Sequence, residues 1–115
     1  MHKRNFKLKK KKLYYLLGAG GIGMSSIAQY LKAKGYDVFG FDNNYSVVTK
    51  LLEDKGIIMN YGNSIKSIQK INTNDNLEVI YSSAIKNDQP VFSYFVDKGF
   101  EPIKRAVFLA SQVNS

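Results

Sequence analysis

At 115 residues, 44% hydrophobic and 23% charged, the chain fits one globular domain and excludes both two full-sized domains and a disordered or fibrous polymer. The absence of cysteine and the presence of one histidine, His2, exclude a disulfide framework and a thiolate metal site, and make a reducing cytoplasm the expected setting. A charge of +8 does not by itself indicate nucleic acid, because seven of the 17 Lys and Arg crowd the amino terminus and the other ten face nine Asp and Glu.

Those seven are Lys3, Arg4, Lys7, Lys9, Lys10, Lys11 and Lys12. Residues 1–12 are therefore expected to be a solvated, disordered tail, with residues 13–115 as the folded domain. No apolar stretch of about 7 to 15 residues with a small-residue cleavage site follows the tail, so it does not look like a secretory signal. No apolar run approaches the roughly 18 residues of a spanning helix.

Leu13 to Leu17 is continuously apolar, as a strand buried on both faces should be. Met24, Ile27, Ala28 and Leu31 then fall on one face of a helix that should stop near Lys34, ahead of Gly35. A second strand is predicted over Asp37 to Phe41. Ser46 is placed to cap a second helix, which carries Val47, Val48, Leu51 and Leu52 as its core face and ends at Gly56. Ile57 to Tyr61 makes a third strand. Between Gly62 and Asn76 the pattern weakens to a short crossover helix through Ile65, Ile68 and Ile71 and a loop over Asn72 to Asn76.

Leu77 to Tyr81 is the fourth strand, followed by Ser82-Ser83-Ala84. Pro90 suits the first turn of a helix with Phe92, Phe95 and Val96 on its apolar side and Gly99 at its end. A short strand at Glu101 to Ile103 and a helix from near Ala106 complete the pattern. Alternating strands and helices predict an α/β fold: a Rossmann-like, doubly wound, parallel five-stranded sheet of order 3-2-1-4-5 in a single domain.

Gly18-Ala19-Gly20-Gly21-Ile22-Gly23 satisfies G-x-G-x-x-G between a strand and a helix, where the pattern has a mechanism. The first glycine permits the turn, the second lets backbone approach a pyrophosphate, and the third lets helix and strand pack closely. Unpaired amides and the helix dipole favour an anion there without any lysine, and Ser25 adds a hydroxyl. Asp42, at the end of the second strand, stands where an acid binds ribose hydroxyls in dinucleotide folds, or equally where a turn residue is wanted before Asn43 and Asn44. Ser82, Ser83 and Ala84 lie at the carboxyl edge of the sheet, either as ligand contacts or as a polar strand end. There is no G-x-x-x-x-G-K-[ST] loop, no Ser/His/Asp triad and no cysteine nucleophile.

The glycine block extended through Met24 and Ser25, together with Tyr81-Ser82-Ser83-Ala84-Ile85-Lys86 and Lys104-Arg105-Ala106, resembles the amino-terminal domain of the UDP-N-acetylmuramate:L-alanine ligases, members of the Mur ligase family of peptidoglycan synthesis. The resemblance runs from about Lys12 to about Val113. It implies a domain that binds the UDP part of UDP-N-acetylmuramate rather than NAD. The phosphates would lie on Gly18, Ala19, Gly20, Gly21, Ile22, Gly23, Met24 and Ser25, and a uridine or substrate role would fall to Asp42, Ser82, Ser83 and Ala84.

In the whole family enzyme, ATP and magnesium convert the lactyl carboxylate to an acyl phosphate that the amine of L-alanine attacks. The resemblance puts the central ATP-binding domain and the carboxy-terminal domain after Ser115. The chain itself is thus expected to hold no cofactor, metal or catalytic residue and to be inactive alone, with a separate chain carrying the other domains as a possible partner. Two alternatives stay open: a free-standing NAD(P)-binding module, and a non-catalytic remnant that binds a partner through the lysine tail or the sheet edge. Three positions depart from the family pattern: Tyr15 and Asn63 each stand where a histidine is usual, and Val107 where an acid is usual.

Overall fold

The computed structural model describes residues 12–62, 65, 68–70 and 76–113. The elements are β1 (Leu13–Leu17), α1 (Ile22–Ala33), β2 (Asp37–Asp42), α2 (Val47–Asp54), β3 (Ile58–Tyr61), a 3-10 turn (Ile68–Lys70), β4 (Leu77–Tyr81), α3 (Pro90–Asp97), β5 (Ile103–Lys104) and α4 (Arg105–Val113). All strand pairs are parallel, in the order β3-β2-β1-β4-β5 that the sequence predicts. Leu17 pairs with Phe41 on one side and Tyr81 on the other, so β1 and β4 end level and β2 runs one residue further. The loops after these three strands therefore open on one edge of the sheet.

Alternation along β1 divides the core in two. Tyr14 and Leu16 face a layer that holds Met24, Ile27, Ala28 and Leu31 of α1, Leu52 of α2 and Phe108 of α4. Tyr15 and Leu17 face the opposite layer, with Phe41, Ile68, Val91 and Phe95. Helices on both faces explain why β1 is apolar throughout. The helices stop where glycine supplies a left-handed backbone: Gly35, Gly56 and Gly99 have φ of 95°, 91° and 95°.

Several details differ from the sequence expectation. The buried residues of α2 are Thr49 and Leu52, whereas Val47 is 88% and Leu51 43% exposed. Ser46 and Thr49 form a reciprocal capping box that fixes the helix start, which leaves Val47 in a first turn facing away from the core. On α3, Val91 and Phe95 are buried one turn apart, Phe92 packs on Tyr81 and Val96 is exposed. The last strand lies at Ile103–Lys104 rather than Glu101–Ile103, beyond Pro102, which has no N–H for a ladder. The helix after it starts at Arg105, one residue earlier than expected. Residues 1–11 of the basic tail, Asn63, and the segment from Ile71 through the Asn72 to Asp75 part of the expected loop lie outside the described residues.

The observed packing predicts a contrast within one helix. Leu52→Ala should lower stability by about 2–5 kcal/mol, and Val47→Ala should change it by less than about 0.5 kcal/mol. Urea unfolding of the two variants checks this.

Candidate functional site

The chain leaves β1 through a turn fastened at its start by backbone hydrogen bonds. Gly18 and Ala19 N–H both donate to the Phe41 carbonyl, at 2.7 and 2.9 Å, and Gly21 N–H donates to the Gly18 carbonyl at 3.1 Å. Gly18 has φ of 89°, a conformation that strains any side chain, and a Cβ there would fall 2.6 Å from Ser82 Oγ. Ala19 is fully buried, with its methyl over Gly40. Gly20 N–H donates to Asp42 Oδ2 at 2.8 Å, and the other oxygen of that carboxylate accepts from Asn44 N–H at 3.2 Å. Asp42 therefore closes an Asx turn and pins the glycine turn at the same time.

Gly21 is the N-cap of α1, with extended backbone and no capping side chain. Ser25 N–H takes the Gly21 carbonyl. Among the described residues, no acceptor is found for the amides of Ile22, Gly23 and Met24. These donors, at the positive end of a twelve-residue helix with no acidic residue in its first turn, favour an anion.

Beside the turn lies a cleft of about 390 Å³. Six of the residues singled out in the sequence line it: Gly18, Gly20, Gly21, Asp42, Ser82 and Ala84. Asn43, Asn44, Ser46 and Ile85 complete the wall. In the sequence Asn43 and Asn44 read only as turn and Ser46 only as cap, functions present in the structure, while Ile85 stands within the block that carries the family resemblance. Gln89, which caps α3, donates from Nε2 to Asn43 Oδ1 at 3.4 Å and joins the loops after β2 and β4.

The other sequence candidates lie off the cleft wall. Ala19 and Met24 are core residues, and Ile22 is 86% exposed at the start of α1. Ser25 is buried and its hydroxyl donates to the Ile22 carbonyl at 2.9 Å. Ser83 is exposed. Gly23 lies under the Arg105 guanidinium.

Of the three departures from the family pattern, Tyr15 is buried on the second face of the sheet, stacked on Phe39. Its hydroxyl oxygen accepts from Asn60 Nδ2 at 2.7 Å, and burial pushes the phenol well above its ordinary pKa, so it stays neutral. Val107 is 61% exposed on α4. Asn63 is not among the described residues.

A larger, open groove of about 630 Å³ runs along α1 past Ser26, Tyr30, Lys32 and Lys55. Amides inside a helix are already bonded to the preceding turn, so the groove lacks the free backbone donors of the glycine turn. Among the described residues no group of three or more His, Cys, Asp or Glu is placed to hold a metal ion.

A sequence model of the Mur ligase family, catalytic domain, matches residues 13–115. The chain is 40% identical over 100 residues to the UDP-N-acetylmuramate--L-alanine ligase of Christiangramia forsetii, covering 85% of this chain and 22% of that protein. It is 38% identical over 96 residues to the enzyme of the same name from Cytophaga hutchinsonii, covering 83% and 21%. Among solved structures, the murein peptide ligase of Psychrobacter arcticus superposes with a TM-score of 0.73 at 28% identity, covering 88% of this chain and 20% of that one. The UDP-N-acetylmuramate-alanine ligase of Thermotoga maritima gives 0.77 at 24% identity, over 91% and 23%, a likeness of fold. The chain thus spans about a fifth of the length of the curated relatives it matches.

Two neighbouring glycines should respond differently to the same substitution. A Cβ on Gly20 would meet Asp42 Oδ2 at 2.7 Å and Thr49 Cγ2 at 3.0 Å, whereas one on Gly21 meets only the Gly18 carbonyl oxygen, at 3.5 Å. Gly20→Ala should therefore destabilise the chain by about 1–3 kcal/mol, and Gly21→Ala by clearly less, as read by thermal unfolding.

Proposed function

This chain belongs to the Mur ligase family, and on that premise we propose that it supplies the part of a peptidoglycan-precursor ligase that holds UDP-N-acetylmuramate. The observation that carries the reading is the set of three amides, on Ile22, Gly23 and Met24, without acceptors among the described residues and next to a polar cleft at the carboxyl edge of the sheet. The diphosphate lies on those amides and on the bare backbone of Gly20 and Gly21. The nucleoside end occupies the cleft between Asp42, Asn43 and Asn44 on one side and Ser82 and Ala84 on the other, with Ser83 at its margin. Gly18, Ala19 and Ser25 contribute from below by shaping the turn and the first turn of α1.

The names of the relatives favour UDP-N-acetylmuramate over a dinucleotide.

The full ligation also requires ATP and magnesium. The sequence has no phosphate-binding loop of the G-x-x-x-x-G-K-[ST] type, and the described residues include no metal-binding group. We assign phosphorylation of the lactyl carboxylate and attack by the amine of L-alanine to the rest of the ligase, in the same polypeptide or in a separate chain. This chain binds and orients the substrate, and its setting is the cytoplasm. Among the described residues no helix is long and apolar enough to cross a membrane.

Titration calorimetry of the chain with UDP-N-acetylmuramate and, separately, with NADH tests the reading. Saturable heat with the UDP-sugar and none with NADH is expected. Tight NADH binding with no response to the UDP-sugar would refute it.

A further inference from the structure

Two charged side chains flank the glycine turn, and among the described residues only Asp42 has a partner. The Asp42 carboxylate accepts the Gly20 and Asn44 amides. Arg105, which opens α4 immediately after β5, lays its guanidinium against Gly23. A Cβ on Gly23 would fall 2.7 Å from Nη1, 3.0 Å from Cζ and 3.2 Å from Nε, so the plane of the fork fills the space that a side chain would take. Among the described residues, neither ion pair involves Arg105 and no hydrogen bond engages it. Neither α1 nor α4 has an acidic residue in its first turn to neutralise it.

Arg105 is exposed, so its five donors are open to a planar anion arriving from solvent. Here the fork lies unpaired against the turn assigned above to the diphosphate. Phosphate oxygens suit such a fork as well as a carboxylate does. The opposite end of the turn carries the negative charge of Asp42, which repels phosphate and tolerates a neutral nucleoside.

We infer that Arg105 is a binding residue for the ligand's diphosphate. This rests on the reading of the site as a nucleotide cleft and adds a residue to it.

The test is calorimetry on the full 115-residue chain, as wild type, Arg105→Ala and Arg105→Lys, each with UDP, uridine and inorganic pyrophosphate. Arg105→Ala should weaken UDP and pyrophosphate roughly 10- to 100-fold, the range for losing charge-assisted hydrogen bonds, and leave uridine unchanged. Arg105→Lys should recover only part of the loss, because a point charge replaces the fork. A salt titration of UDP binding should be flatter in the alanine variant. Equal UDP and pyrophosphate affinities in the wild type and Arg105→Ala would overturn the inference, as would an equal loss for uridine. Arg105-dependent pyrophosphate binding in a chain that ignores UDP would support the anion role and refute the nucleotide cleft. A wild-type chain that binds neither UDP nor pyrophosphate overturns both.

Discussion

One carbonyl, that of Phe41, accepts hydrogen bonds from both Gly18 and Ala19, and the position of everything at the carboxyl edge of the sheet depends on this fastening. It ties the turn after β1 to the end of β2 while β1 is still flanked by strands on both sides. The chain has to reverse at once, and only glycine takes the φ of 89° required at position 18. Ala19 then drops into the core and Gly20 comes within reach of Asp42. Gly21 starts α1 without a side-chain cap. The unpaired amides of the first helical turn are therefore a consequence of how the strand ends.

Packing keeps that arrangement in place. Helix α1 buries Met24, Ile27, Ala28 and Leu31 against one face of the sheet, so its start cannot drift to satisfy its own amides. The absent Cβ of Gly40 admits the methyl of Ala19, and that of Gly20 admits the Asp42 carboxylate. Asp42 thus has a scaffolding job in the unliganded chain as well as a place on the cleft wall. The proposed anion cradle is thus preorganised, an arrangement that lowers the ordering cost of binding.

Much of this was legible in the sequence, for identifiable reasons. The strands are short apolar runs separated by glycines that the chain uses at positive φ, so both the element order and the sheet order could be read. The glycine turn has its own spacing, and the resemblance to the Mur ligases was carried by that block and by Tyr81 to Lys86. Helix faces were less legible. Thr49 is buried because it serves the capping box, while apolar Val47 and Leu51 face outward, and periodicity counts the latter and ignores the former. At the site, Asn43, Asn44 and Ser46 looked like ordinary turn and cap residues. Nothing local says that their loop folds beside Gly20. Arg105 was visible only as part of a motif block, because its contact with Gly23 depends on β5 bringing the start of α4 up to the start of α1. Ser25 and Met24 read as part of the phosphate loop, yet their side chains face the helix and the core.

The central claim is that the ligand's phosphates lie on the start of α1, and mapping amide chemical shifts during a titration with UDP-N-acetylmuramate tests it most directly. The account predicts the largest shifts at Ile22, Gly23 and Met24, with smaller ones through Asp42 to Asn44. Unmoved amides there, with shifts instead at Ser26, Tyr30, Lys32 and Lys55 along the larger groove, would contradict it.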